Sequence, residues 1–181
     1  NGAYSYQNKT DGKTENVYVD KDTQDNGQII IKQAEDTTTG NTVTVEENVT
    51  NKDGDRDVDI ILDGVNVDTS DTSTPTDTSA EVPADADTKE DKTIIKVGEG
   101  ADVDLTVKDS NLTTGGNGID IGVNLKDDDE NKETNVDLTL DHTEINLTEK
   151  DNTAGIVARD NSTVDVTLKG ENTIDGKKAL E

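Results

Sequence analysis

Cysteine, methionine, tryptophan and phenylalanine are absent from this chain, and tyrosine is its only aromatic, present three times. Without cysteine there are no disulfides and no thiolate metal sites, although that alone does not fix the compartment. With so few aromatics, a core must be built from aliphatic side chains, and sugar rings would find little to stack on. No apolar run approaches the ~20 residues needed to cross a bilayer, so membrane insertion is not expected. Positive charge is scarce as well: 17 Lys and Arg face 42 Asp and Glu, for a formal net charge of -25. That balance disfavours nucleic acid and anionic membrane as partners and favours cations. No initiator methionine or signal peptide is present, and Leu180-Glu181 resembles the remnant of a lost tag. The chain therefore reads as an excised piece of a larger protein, monomeric as a fragment.

What remains is 28% hydrophobic, a composition more usual in disordered chains. The Val, Ile and Leu residues are spaced, however, and their spacing outweighs the composition. Four segments align without gaps: DVDIILDGVNV (57–67), DVDLTVKDSNL (102–112), NVDLTLDHTEI (135–145) and TVDVTLKGENT (163–173). Their starts lie at intervals within the roughly 20–50 residues typical of repeat architectures. The first residues of each alternate with period two, the pattern of a half-buried strand. One face reads Val58-Ile60-Leu62, Val103-Leu105-Val107, Val136-Leu138-Leu140 and Val164-Val166-Leu168. Stacked at the ~4.8 Å spacing of paired strands, these would form continuous aliphatic ladders. After each strand, Asn66, Asn111 and Asn172 suggest a bend with stacked amides; the third unit has Glu144 there, unless an insertion brings Asn146 into place.

A second short apolar segment precedes each repeated strand: Val43–Val45 (or Val49), Ile94–Val97, Ile119–Val123 and Gly155–Ala158. The expected architecture is all-β, a right-handed parallel β-helix of about four to six coils over residues 41–179, the hand following from the crossover preference. An immunoglobulin-like sandwich is the alternative, although it does not require the same apolar residue at the same position of successive units. Insertions rich in Ser, Thr, Asp and Pro, or in acidic residues, interrupt the repeat at 69–92 and 126–134. Residues 1–40 hold all three tyrosines and do not fit the repeat, which suggests an N-terminal β cap or the end of a preceding module.

The stretches IILDGVNVDT, IIKVGEGADVDLTVKDSNL and GIVARDNSTVDVTLKGENTI, with strands of the form xVDxTx, resemble the pectate-lyase-like right-handed β-helix superfamily. The likeness is strongest to its bacterial surface domains of the carbohydrate-binding or adhesin type, and covers roughly residues 42–176. It implies an extracellular, cell-surface setting. The superfamily also includes polysaccharide lyases and hydrolases, and members that bind acidic glycans often do so through calcium. Such motifs specify a fold better than a function.

Outward positions form columns of their own: Asp59, Asp104, Asp137, Asp165, then Ile61, Thr106, Thr139, Thr167, then Asp63, Lys108, Asp141, Lys169. The last alternates in sign, so neighbouring units attract; the first stacks like charges, with Lys108 and Lys169 as diagonal relief. Either the Asp column is a solvated ladder or it lines a ligand groove, with Asp104, Thr106, Asp137, Thr139, Asp165 and Thr167 as the binding residues. Calcium is the expected cofactor. Asp53, Asp55, Asp57 and Asp59 recur at alternate positions, a spacing that lets one loop gather several carboxylates around Ca2+, while Asp127, Asp128 and Asp129 form a second acidic loop. DTQDNGQI from Asp22 is a third, weaker candidate. None is an EF-hand, because the glycine or the closing carboxylate is missing.

Catalysis has little support. Only Arg56 and Arg159 supply a guanidinium, and His142 is the single histidine. The carboxylates are regular rather than singled out as an acid and base pair would be. Flanking Asp and Lys spoil the Thr column as an ice-binding plane. The sequence is thus read as a non-catalytic surface domain that binds a glycan or host ligand, with a purely structural stalk as the alternative and a polysaccharide lyase or hydrolase third.

Overall fold

The structure, a computed structural model, describes residues 2–6, 16–19, 28–33, 37–49, 58–70, 92–126, 132–149 and 151–181. Among these residues all regular structure is strand. In chain order the strands are β1 (Gly2–Tyr6), β2 (Val17–Val19), β3 (Gln28–Gln33), β4 (Val43–Val45) and β5 (Val58–Asp63). They continue with β6 (Asn66–Asp68), β7 (Ile95–Gly98), β8 (Asp102–Lys108), β9 (Asn111–Thr114) and β10 (Ile119–Val123). The last are β11 (Thr134–Asp141), β12 (Glu144–Leu147), β13 (Ile156–Ala158), β14 (Ser162–Lys169) and β15 (Thr173–Asp175).

Three sheets result. The long sheet has the order β1-β3-β5-β8-β11-β14, the second β13-β10-β7-β4-β2 and the third β15-β12-β9-β6. Every strand pairing among the described residues is parallel. An immunoglobulin-like sandwich is built from antiparallel sheets, so this pairing speaks against that alternative. Successive strands visit the sheets in turn, from β5 in the long sheet to β6 in the third, β7 in the second and back to β8 in the long one. The arrangement is compatible with the expected parallel β-helix.

The repeat sets the register. Val58, Val103, Val136 and Val164 pair in one row, Ile60, Leu105, Leu138 and Val166 in the next, and Leu62, Val107, Leu140 and Leu168 in a third. Alternation turns these side chains inward, where those of β5, β8 and β11 are at most 2% exposed. Burying each such side chain contributes about 1.5–3 kcal/mol, which is how a chain poor in hydrophobic residues still forms a core. The N-terminal stretch expected as a cap extends the same sheets: β3 pairs with β5, β1 with β3 and β2 with β4.

The third sheet goes beyond the expected return from the bend. Its strands are three or four residues long, anchored by Val67, by Leu112, by Ile145 and Leu147 together, and by Ile174. The turn into it recurs at one position of all four units, where Gly64, Asp109, His142 and Gly170 have φ of 67°, 49°, 50° and 66°. Glycine and aspartate enter this left-handed region most readily. At Gly170 a Cβ would also stand 2.4 Å from the His142 ring.

The expected amide ladder is only partly present. Glu144 pairs with Asn111, so no insertion restores the asparagine, and Asn146 reaches Asn111 Oδ1 at 3.4 Å. In the last unit Thr173, rather than Asn172, stands opposite Glu144. Inside the bend, Ser110, Thr143 and Asn172 bond to backbone groups instead. Ser110 Oγ accepts the Val65 N–H at 3.1 Å, Thr143 Oγ1 donates to the Val107 carbonyl at 2.8 Å, and Asn172 Oδ1 accepts the Thr143 N–H at 2.9 Å.

The ends of the long insertion are tied together. Thr69 Oγ1 donates to the Lys92 carbonyl at 2.6 Å, and Lys92 Nζ donates to the Ser70 carbonyl at 2.9 Å. Thr69 is 1% exposed, so it belongs to the scaffold rather than to the excursion.

Candidate functional site

The outward face of the long sheet carries the columns anticipated from the repeat, in strict register. Asp59, Asp104, Asp137 and Asp165 pair in sequence, as do Ile61, Thr106, Thr139 and Thr167. Strand alternation places them opposite the aliphatic ladders. Asp104, Thr106, Asp137, Thr139, Asp165 and Thr167 all line one open hollow of about 500 Å³, bounded towards the N-terminus by Gln28, Asp59 and Ile61. That size lies within the roughly 300–1,000 Å³ of small-molecule sites. Neighbouring carboxylates at strand spacing repel by about 1 kcal/mol per pair in a water-like medium, a repulsion that dissolved counterions screen.

The mixed-sign column beside it is longer than the sequence suggested. Lys32 on β3 stands opposite Asp63, giving Lys32, Asp63, Lys108, Asp141 and Lys169 in order. Lys32 Nζ lies 3.0 Å and Lys108 Nζ 3.2 Å from Asp63 Oδ2. Burial pushes the Asp63 carboxyl up, but the hydrogen bonds and charges of Lys32 and Lys108 outweigh it and hold it below the ordinary value. A carboxyl lowered in this way stabilises the fold above its unfolded pKa, and that contribution is lost as pH falls through the lowered value. Lys108, expected to relieve the Asp column diagonally, thus makes an ion pair along its own column.

Of the expected calcium ligands, Asp59 lies on β5 facing the hollow. Asp53, Asp55, Asp57, Asp127, Asp128 and Asp129 lie outside the described residues, as does the loop from Asp22. Among the described residues, no group of three or more His, Asp and Glu is arranged to hold a metal ion. Residues 20–27, 50–57 and 127–131 each connect the second sheet to the long one.

Just after β4 the structure shows a residue the sequence did not mark. The Glu47 side chain is 4% exposed, and its Oε1 accepts the N–H groups of Leu125 at 2.7 Å and Lys126 at 2.9 Å. One carboxylate thereby fixes Leu125 and Lys126 against the end of β4. Gly98 makes room for it, since a Cβ there would stand 2.7 Å from the Glu47 backbone nitrogen. Only Asp or Glu followed by a distant acidic loop could have hinted at this contact, and the chain is full of both.

The residues considered for catalysis have structural partners. Arg159 grips Asp120 with two hydrogen bonds of 2.7 Å, and Asn117 Nδ2 donates to the same carboxylate at 3.1 Å. Asp120 is 4% exposed, so the pair braces β10 against the turn before β14. His142 sits at the left-handed turn with Nδ1 2.7 Å from Asp141 Oδ1. It borders a second hollow of about 450 Å³, together with Asp109, Asn111 and Glu144. Arg56 lies outside the described residues. No protein-family model, curated protein or solved structure matches this chain.

Proposed function

We propose that the chain is a right-handed parallel β-helix of the pectate-lyase-like kind, displayed on a bacterial surface, that binds a glycan or host ligand without transforming it. The outward face of the long sheet is the binding surface, and calcium assists. One observation carries the reading: the in-register Asp and Thr side chains line a single hollow of about 500 Å³. Carboxylates accept hydrogen bonds from sugar hydroxyls, threonines both donate and accept, and calcium bridges carboxylates to an acidic glycan. A rigid sheet presents these groups pre-organised, which lowers the ordering cost of binding.

A structural stalk is the second reading. It is favoured by the repetition of one aliphatic ladder and one mixed-sign column through successive units. A glycan array probed with and without calcium separates the two. The binder retains a calcium-enhanced set of glycans, and Asp104→Asn with Asp137→Asn removes the signal while the far-ultraviolet spectrum stays unchanged. Retention of no glycan under either condition favours the stalk, and glycan cleavage would favour the enzyme.

A further inference from the structure

The hollow of about 450 Å³ at the bend belongs to interior units of the stack. Its lining comes from the turns after β5, β8 and β11, strands that each have a paired neighbour on both sides. His142 is placed there at a backbone cost. The left-handed turn that holds it is glycine in two of the four units, and histidine enters that region less readily. The next unit makes room for the ring. A Cβ on Gly170 would lie 2.4, 2.5 and 2.7 Å from Cε1, Nε2 and Nδ1 of His142, three nearly equal distances that set the imidazole face-on over Gly170. His142 lines the hollow and Gly170 behind it does not, so the other ring face is the one turned to the hollow. The side chain is 61% exposed.

Partners outside the hollow fix the polar side chains around this ring. His142 Nδ1 donates to Asp141 Oδ1 at 2.7 Å, Asn66 Nδ2 to Thr38 Oγ1 at 2.9 Å, and Asn146 Nδ2 to Glu144 Oε1 at 3.1 Å. His142 Nε2, Asn66 Oδ1, Glu144 Oε2 and the Asn111 amide nitrogen are left without a hydrogen bond to any described residue. An open ring face edged by acceptors and an amide donor suits a ligand with one apolar face and hydroxyls around its rim. Lysine and arginine are absent from the described lining, so an anionic ligand finds no counter-charge. A neutral sugar ring meets these conditions. We propose that the hollow at the bend is a sugar site, where a pyranose lays its C–H face on the His142 imidazole and bonds Asn66, Asn111 and Glu144 through its hydroxyls. The side chains are already oriented, which lowers the ordering cost of binding. None of them lies on the outer face of the long sheet, so this site stands or falls separately from the ligand surface proposed there.

His142 is the only histidine, so in the untagged chain its imidazole proton resonances report this site alone. The probes are the methyl β-glycosides of galactose, glucose and N-acetylglucosamine, with glycerol as a polyol that has no ring face. At constant pH, at least one glycoside is expected to shift the His142 resonances saturably, and the backbone amide resonances of Asn111 and Glu144 with the same midpoint, while glycerol leaves them in place. His142→Gly, which puts at this turn the residue of Gly64 and Gly170, abolishes the Asn111 and Glu144 shifts with an unchanged circular dichroism spectrum. Glu144→Gln weakens binding about three- to tenfold, the range of one hydrogen bond. Asp104→Asn with Asp137→Asn, on the sheet face, leaves the His142 shift in place. No saturable shift with any of the three glycosides, an equal shift with glycerol, amide shifts that survive His142→Gly, or a His142 shift lost with the sheet-face variant overturns the proposal.

Discussion

Leu138 and Thr139 are neighbours in sequence and opposites in environment. Leu138 is 1% exposed in the ladder between Leu105 and Val166, while Thr139 lines the outer hollow. Leu138→Asp buries an unpaired carboxylate and is expected to cost about 3 kcal/mol or more. Thr139→Asp adds a charge to an open face and is expected to cost less than about 1 kcal/mol. Urea denaturation of the two variants checks this, and equal losses would mean the faces are misassigned. Which residues point inward was legible because the period-two pattern survives in all four units. Other single-residue features were not legible. The left-handed turn is filled by Gly64, Asp109, His142 and Gly170, three residue types with no common side-chain signature. Glu47 acts on Leu125 and Lys126 across two rows of the stack, a contact that no local spacing encodes.

At the scale of elements, legibility depended on strand length. β5, β8, β11 and β14 alternate over six residues or more and stand out. Third-sheet strands, three or four residues long with one or two aliphatic anchors each, are too short to show a period. β3 was hidden differently: Ile29, Ile30 and Ile31 are consecutive, so alternation vanishes from the sequence, although only Ile29 and Ile31 are fully buried. Ile30 pairs instead with the outward Ile61. With β3 unrecognised, Lys32 could not be placed beside Asp63. The long insertion yields a prediction at this scale. Thr69, Ser70 and Lys92 hold its ends together, and loop-closure entropy grows only logarithmically with length. Replacing Thr72–Asp87 with a short Gly-Ser link is expected to change unfolding free energy by less than about 1 kcal/mol. Loss of cooperative unfolding in that variant would show that the segment supports the stack.

For the whole molecule the governing fact is a net charge of -25 on a scaffold that aligns like charges. The aliphatic ladders stabilise the stack, the mixed-sign column attracts along it, and the Asp column repels along it. Cations offset that repulsion, and the proposed calcium site would turn it into affinity. The candidate ligand face was legible as columns because register follows from repeat alignment. Its hollow was not, since the curvature of a sheet depends on twist and on turns that the repeat does not describe. The most direct test of a calcium-assisted ligand surface is the melting temperature in millimolar calcium chloride against sodium chloride at matched ionic strength. Binding to the folded state alone stabilises by about 2.7 kcal/mol at a hundredfold excess over Kd, so the midpoint is expected to rise by several degrees. An identical midpoint in the two salts across millimolar calcium would contradict the account.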